Sequence, residues 1–158
     1  LVRPLAPSLA STTTLRRLGA AWAAAHPHGR VVVIDRQRPL DDDVGHDADA
    51  RTLVVVDDAD RVEDVDGRLA AIVAGRRSGG IVVAAARVDA VRSAYGHWVR
   101  DVVRSRCGLI MTGPGDVDGE LLGVTLPRRS VVAARPGLAW LIDGRGLRLV
   151  PVSARMPT

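Results

Sequence analysis

Three short runs of apolar, mostly β-branched residues set the narrowest limits on how this chain can fold. Val31-Val32-Val33-Ile34, Leu53-Val54-Val55-Val56 and Ile81-Val82-Val83-Ala84-Ala85-Ala86 are each too short for a helix and end in polar or turn residues. Side chains alternate across a strand, so an apolar residue at every position implies burial on both faces. The segments between the runs carry helical spacing instead. Over 12–26, Leu15, Leu18, Trp22 and Ala25 recur at three- and four-residue steps, with Ser11 and Thr12 as N-cap candidates and His26-Pro27-His28-Gly29 as the stop. Asp60-Arg61-Val62-Glu63 has capping-box spacing and predicts a helix that places Val62, Val65, Leu69, Ile72 and Val73 on one face until Gly79-Gly80. A further helix is predicted through Val88, Val91, Tyr95, Trp98, Val99 and Val102 to Arg104, running across Gly96, and a short strand follows at 108–111. This alternation predicts an α/β fold, doubly wound, with a mostly parallel sheet covered by helices on both faces. The tail differs: 138–142 and 147–152 flank Asp143-Gly144-Arg145-Gly146, which predicts a C-terminal antiparallel hairpin.

The 158 residues, 47% hydrophobic and 25% charged, fit one globular domain, and neither a repeat nor a linker divides them. The longest apolar stretches, 18–25 and 81–86, fall well short of the ~20 residues a membrane span needs. A soluble chain is expected, with cytoplasm as its compartment, and the single cysteine, Cys107, excludes an internal disulfide. All 22 basic residues are arginine, as GC-biased bacterial coding would give. The missing lysine excludes a Schiff-base amine and the lysine of a phosphate-binding loop. A net charge of +4 is spread among interspersed acids and arginines, and three Trp with one Tyr offer little for base stacking, so no nucleic-acid surface is predicted.

The most informative motif is Leu53-Val54-Val55-Val56-Asp57-Asp58, four apolar residues and then two carboxylates. Open α/β sheets bind ligands at the C-terminal ends of their strands. There Asp57 could hold the water shell of Mg²⁺ while Asp58 orients an attacking water. The run has the form of a Walker B motif and equally that of a strand ending in an acidic turn. The next strand leads to Arg87, which would sense a γ-phosphate or pair with Asp57 or Asp58 at the same sheet edge.

In this order the pieces resemble the second half of an FtsK/SpoIIIE-family P-loop ATPase domain, in the form found in EccC-type ATPases of type VII secretion and related actinobacterial proteins. The resemblance covers 53–152. It rests on the Walker B run, the strand ending in Arg87, the helix around Tyr95 and Trp98, Ser105-Arg106 before the strand at 108–111, and Gly113-Pro114-Gly115-Asp116 leading to Leu121-Leu122-Gly123. Leu126-Pro127-Arg128-Arg129 and Arg135-Pro136-Gly137 before the hairpin complete it. It implies a RecA-like P-loop NTPase fold, with ATP and Mg²⁺ as cofactors and a ring of neighbouring ATPase domains as partners. Small helical secreted proteins would be the substrates, with DNA ranked behind them, and membrane association would come only through other parts of a larger motor. Arg106 would be the arginine finger serving the neighbouring subunit's nucleotide, with a surface ion pair as the alternative.

The first third departs from the family pattern. A P-loop reads G-x-x-x-x-G-K-[ST], in which glycines let backbone N–H groups wrap the phosphates, lysine reaches them and the hydroxyl binds Mg²⁺. Leu5-Ala6-Pro7-Ser8-Leu9-Ala10-Ser11-Thr12 stands in its place, behind a strand remnant at Leu1-Val2-Arg3. Ala10 replaces the second glycine, Ser11 replaces the lysine and Thr12 alone keeps its chemistry; Ser11, Thr12 and Arg87 are the candidate nucleotide-binding residues. Arg16 and Arg17 could reach a phosphate but read as surface charges. Asp41-Asp42-Asp43 with His46, Asp47 and Asp49 lacks the glycine and glutamate of a Ca²⁺ loop and reads as a solvated loop. His26 and His28 lack further ligands, and Cys107 reads as a buried thiol. The expected function is therefore a degenerate ATPase module with a regulatory or partner-binding role. The alternatives are an active DNA translocase domain whose P-loop lies upstream of Leu1, and a structural module without a ligand.

Overall fold

In the computed structural model, which describes residues 2–3, 9–35, 38, 52–75, 80–111, 118–127 and 138–152, the three apolar runs lie side by side. In chain order the elements are β1 (Val2–Arg3), α1 (Leu9–Ala25), β2 (Arg30–Ile34), β3 (Thr52–Val56), α2 (Arg68–Val73), β4 (Gly80–Ala84), β5 (Ala86–Arg87), α3 (Val88–Ser93), α4 (Val99–Arg104), β6 (Gly108–Met111), β7 (Leu138–Asp143) and β8 (Gly146–Pro151). β3 is buried at all five positions and pairs in parallel with β2 and β4, Val54 standing opposite Val32 and Val82. One face of β3, Val54 and Val56, packs with Leu69, Ile72, Val91, Trp98 and Val99; the other, Leu53 and Val55, packs with Leu15 of α1. Helices on both faces are thus observed, as the alternation predicts.

The sheet is not one layer. β2-β3-β4 forms a three-stranded parallel sheet, and β5-β1-β6-β7-β8 forms a second whose last two strands are antiparallel. The break falls at Ala85, whose backbone N–H donates to the Val56 carbonyl and whose carbonyl accepts from the Ala59 N–H, both at 2.8 Å. Those bonds hold Ala85 against the end of β3, and the next two residues then pair with β1, Ala86 opposite Val2 and Arg87 opposite Arg3. β1 lies between β5 and β6 and is parallel to both. A second difference is at β2, where Val33 is 39% exposed: among the described residues β2 has a partner on one side only.

Both long helices predicted after β3 are shorter than their apolar spacing implies. Residues Ala59–Arg61 form a 3-10 turn, and α2 starts only at Arg68. Asp60 cannot cap a helix because its carboxylate accepts from the Arg87 backbone N–H (3.3 Å) and faces the Arg87 guanidinium (3.5 Å). Asp64 caps instead, its two oxygens accepting from the Leu69 N–H (3.0 Å) and the Ala70 N–H (2.9 Å). Val65, placed by spacing on the buried face, is left outside the helix and 88% exposed. The stretch predicted as one helix over 88–104 divides into α3 and α4, with Gly96 at φ 72 between them. Tyr95 is exposed there, whereas Trp98 is buried and its Nε1 donates to the Val62 carbonyl at 2.8 Å. Cys107 is exposed rather than buried, and no helix among the described residues is long and apolar enough to cross a membrane.

The hairpin forms where predicted, with Gly146 at φ 115 closing the turn. The Asp143 carboxyl is held below the ordinary carboxylate range first by the Arg145 backbone N–H, which donates to it at 2.8 Å; desolvation opposes this, and the Arg148 guanidinium adds to the lowering. A lowered folded-state value means that this stabilisation is present above the unfolded pKa and is lost as pH falls through the folded one. Asp143→Asn should accordingly flatten the acid limb of a stability–pH curve without moving the neutral-to-alkaline limb. The corrected helix start is testable by denaturant unfolding: Leu69→Ala, at a fully buried position, should cost about 2–5 kcal/mol. Val65→Ala should stay within about 0.5 kcal/mol.

Candidate functional site

β3 stops when its apolar run meets Asp57, and the polar groups released there find partners at once. The Asp57 N–H completes the ladder by donating to the Ile34 carbonyl at 2.9 Å. Its carboxylate accepts from the Thr12 hydroxyl at 2.6 Å through Oδ2 and from the Asp58 N–H at 3.0 Å through Oδ1. Thr12 is the fourth residue of α1, so the first turns of that helix are tied to the end of the buried strand 45 residues later. Asp58 adopts a left-handed conformation, φ 49 and ψ 43, which aspartate tolerates better than most residues and which turns the chain sharply into 59–61.

Ser11 stands in the first turn of α1. Arg87 closes β5, which belongs to the five-stranded sheet and not to that of Asp57 and Asp58, and its guanidinium faces Asp60, at 3.5 Å, and Asp89, at 3.9 Å. The expected pair with Asp57 or Asp58 is therefore replaced by one with Asp60, whose side chain is only 3% exposed. Capping-box spacing had drawn Asp60 into a helix, which hid its role. Asp35 is a second residue that the sequence reading passed over. It follows β2, and the pairing of Ile34 with Val56 sets it beside Asp57. The signal was present, since an apolar strand ending in a carboxylate is the same pattern that singled out Asp57. Asp35 accepts from the Arg38 N–H at 2.9 Å.

A cavity of about 300 Å³ opens between α1 and the β2–β3 face, with Thr12 and Asp57 at one end and Leu15, Gly19, Val31 and Val55 along its apolar wall. Arg16 borders it too, whereas Arg17 points into solvent. Gly19 permits the close approach of α1: a Cβ there would stand 3.5 Å from Val31 Cγ1 and 3.9 Å from Val55 Cγ2.

Arg106 is elsewhere. It precedes β6, which runs parallel to β1 and β5, and so lies at the opposite end of the strands from Arg87. Its φ is 51, its side chain is exposed, and its guanidinium end passes over Gly123, 3.6–3.7 Å from where a Cβ would be. Among the described residues it has no carboxylate partner. No group of three or more His, Cys, Asp or Glu able to hold a metal occurs among the described residues. The acidic loop at Asp41-Asp42-Asp43, His46, Asp47 and Asp49 lies outside them, as do residues 113–116, 128–129 and 135–137. His26 stacks on Trp22, with ring centroids 4.4 Å apart.

No protein-family model, curated protein or solved structure matches the chain. The site is consequently defined by its own geometry, and its central contact can be tested. Thr12→Val removes a hydrogen bond to a carboxylate and should cost about 1.5 kcal/mol, near the lower bound for such bonds because Thr12 is partly exposed. Thr12→Ser, which keeps the hydroxyl, should recover most of that loss in the same denaturant titration.

Proposed function

We propose that this chain is a degenerate ATPase module of an FtsK/SpoIIIE-like translocase of the EccC kind, acting on neighbouring domains or partners rather than turning over ATP itself. The observation that carries this reading is the hydrogen bond between Thr12 and Asp57. In P-loop NTPases a hydroxyl at the start of the first helix and an aspartate at the end of a buried strand converge on one Mg²⁺. Here the same two residue types, from the same two places, converge on each other. The placement of β1 between β5 and β6, with α1 next in the chain, supports a RecA-like reading of that part of the chain, although β2-β3-β4 forms a sheet of its own.

The residues present suit the metal corner of such a site and not its phosphate cradle. Thr12 and Asp57 could supply a hydroxyl and a carboxylate to Mg²⁺. The chain has no lysine at all and no glycine before Gly19. The cradle would therefore lack several charge-assisted hydrogen bonds, each worth roughly 1.5–3 kcal/mol. A nucleotide does not fit these residues, and no hydrolytic step is assigned to Asp57, Asp58 or Arg87. Arg106, exposed at the far end of the strands, suits a role toward a neighbour, since a guanidinium offered in trans stabilises charge on a phosphoryl group bound elsewhere.

Calorimetric titration with ATP and Mg²⁺ should show no binding tighter than the high micromolar range; low-micromolar affinity would overturn the degenerate-site reading. In the assembled motor, Arg106→Ala should lower ATP turnover by a factor approaching the roughly 10³–10⁵ typical of an arginine finger. Asp57→Asn should leave turnover nearly unchanged.

A further inference from the structure

On the face of the β2-β3-β4 sheet opposite α1, a groove of about 460 Å³ runs between the segment entering α2 and the segment entering α4. Its walls include Glu63, Asp64 and Asp101, and Trp98 forms part of its apolar base. Two features of this groove are not required by the fold. The first is exposed apolar surface: Val65, which lines the groove, is 88% exposed, as is Tyr95, the residue before the lining Gly96, more than any other large hydrophobic residue among those described. Neither side chain packs into a core cluster, and a polar residue at either position would serve the turns equally well. Apolar groups displayed at the edge of one concave surface mark a place where another surface is meant to sit.

The second feature is charge. The chain carries +4 overall, yet residues 63–70 and 96–101 bring Glu63, Asp64, Asp66 and Asp101 against only Arg68 and Arg100. Three of these acids are engaged: Asp64 with the N–H groups of α2, Asp66 with Arg68 at 3.2 Å, and Asp101 with Arg104. Glu63 is exposed and has no ion-pair partner among the described residues. Arg100 turns away, aiming Nη1 at the Val91 carbonyl. The unbalanced charge facing the groove is therefore negative, in a protein that is otherwise basic.

We propose that this groove docks a short arginine-bearing segment of a partner protein, with an apolar residue next to the arginine. A guanidinium suits the site better than an ammonium, because it can meet the Glu63 carboxylate in a planar fork and can also stack on an aromatic ring such as that of Tyr95, exposed one residue before the lining Gly96. The apolar neighbour covers Val65. The groove is large enough for a few side chains and too small for a folded domain. Its residues share none with the Thr12–Asp57 site, so the inference stands whatever becomes of the nucleotide reading.

The test uses the full chain and a capped hexapeptide of alternating leucine and arginine, with a glutamate-for-arginine peptide as control, followed by calorimetry at low and high salt. The arginine peptide should bind, more weakly as salt rises, and the control should not. Glu63→Gln and Tyr95→Ala should each weaken binding about two- to fivefold. Both positions are exposed, so unchanged thermal melts will show that the variants remain folded. Equal binding of the glutamate peptide, or affinity indifferent to both variants, overturns the proposal. So does sedimentation showing that the groove is closed by a second copy of the chain, with self-association lost in Glu63→Gln and no binding of the peptide.

Discussion

Complete burial of β3 is the constraint from which the other features follow. A strand that is hydrogen-bonded on both sides and covered on both faces has no route to water until it ends, so its first polar residue must be met by protein. Asp57 is met by Thr12, which fixes where α1 begins relative to the sheet, and by the N–H of Asp58, which fixes the turn. Ala59, buried immediately afterwards, returns the chain to the core and carries Asp60 to Arg87. The acidic edge is thus organised by the solvation needs of one strand. Any ligand chemistry there is built on groups that already have structural duties.

This explains how much of the molecule could be read in advance. The strands at 31–34, 53–56 and 108–111, the first part of the run at 81–86 and the terminal hairpin were legible because their signals are local: β-branched runs bounded by polar residues, and a glycine-rich turn between apolar segments. The helices after β3 and β5 were misjudged because their apolar spacing continues past their ends. Asp60 looks like a cap until Arg87, 27 residues away, claims it. Gly96 looks tolerable in a helix until its left-handed φ is needed to bring Trp98 back to the core. The division of the sheet at Ala85 leaves no mark in an alanine run.

The candidate site was legible in parts. Thr12 and Asp57 were each singled out for their place at the start of a helix and the end of a strand, and the contact between them is tertiary information that neither segment carries alone. Arg87 was expected at the sheet edge of Asp57 and Asp58, but it closes a strand of the other sheet and pairs with Asp60. Asp35 was passed over because the strand it ends was valued for burial alone. The groove beside α2 was invisible, because the apolar spacing assigned Val65, which lines the groove, and Tyr95, next to the lining Gly96, to buried helix faces.

Ala85 has a mechanical consequence. It is the sole residue between the strand pairings of the two sheets, and both of its backbone groups are spent on Val56 and Ala59, which bracket Asp57 and Asp58. The acidic turn is therefore pinned at the seam. Rotation of the five-stranded sheet against the three-stranded one would have to drag that turn along or break both 2.8 Å bonds. Orientation of the hairpin end of the molecule and posture of the Asp57–Asp58 turn are in this way geometrically one variable.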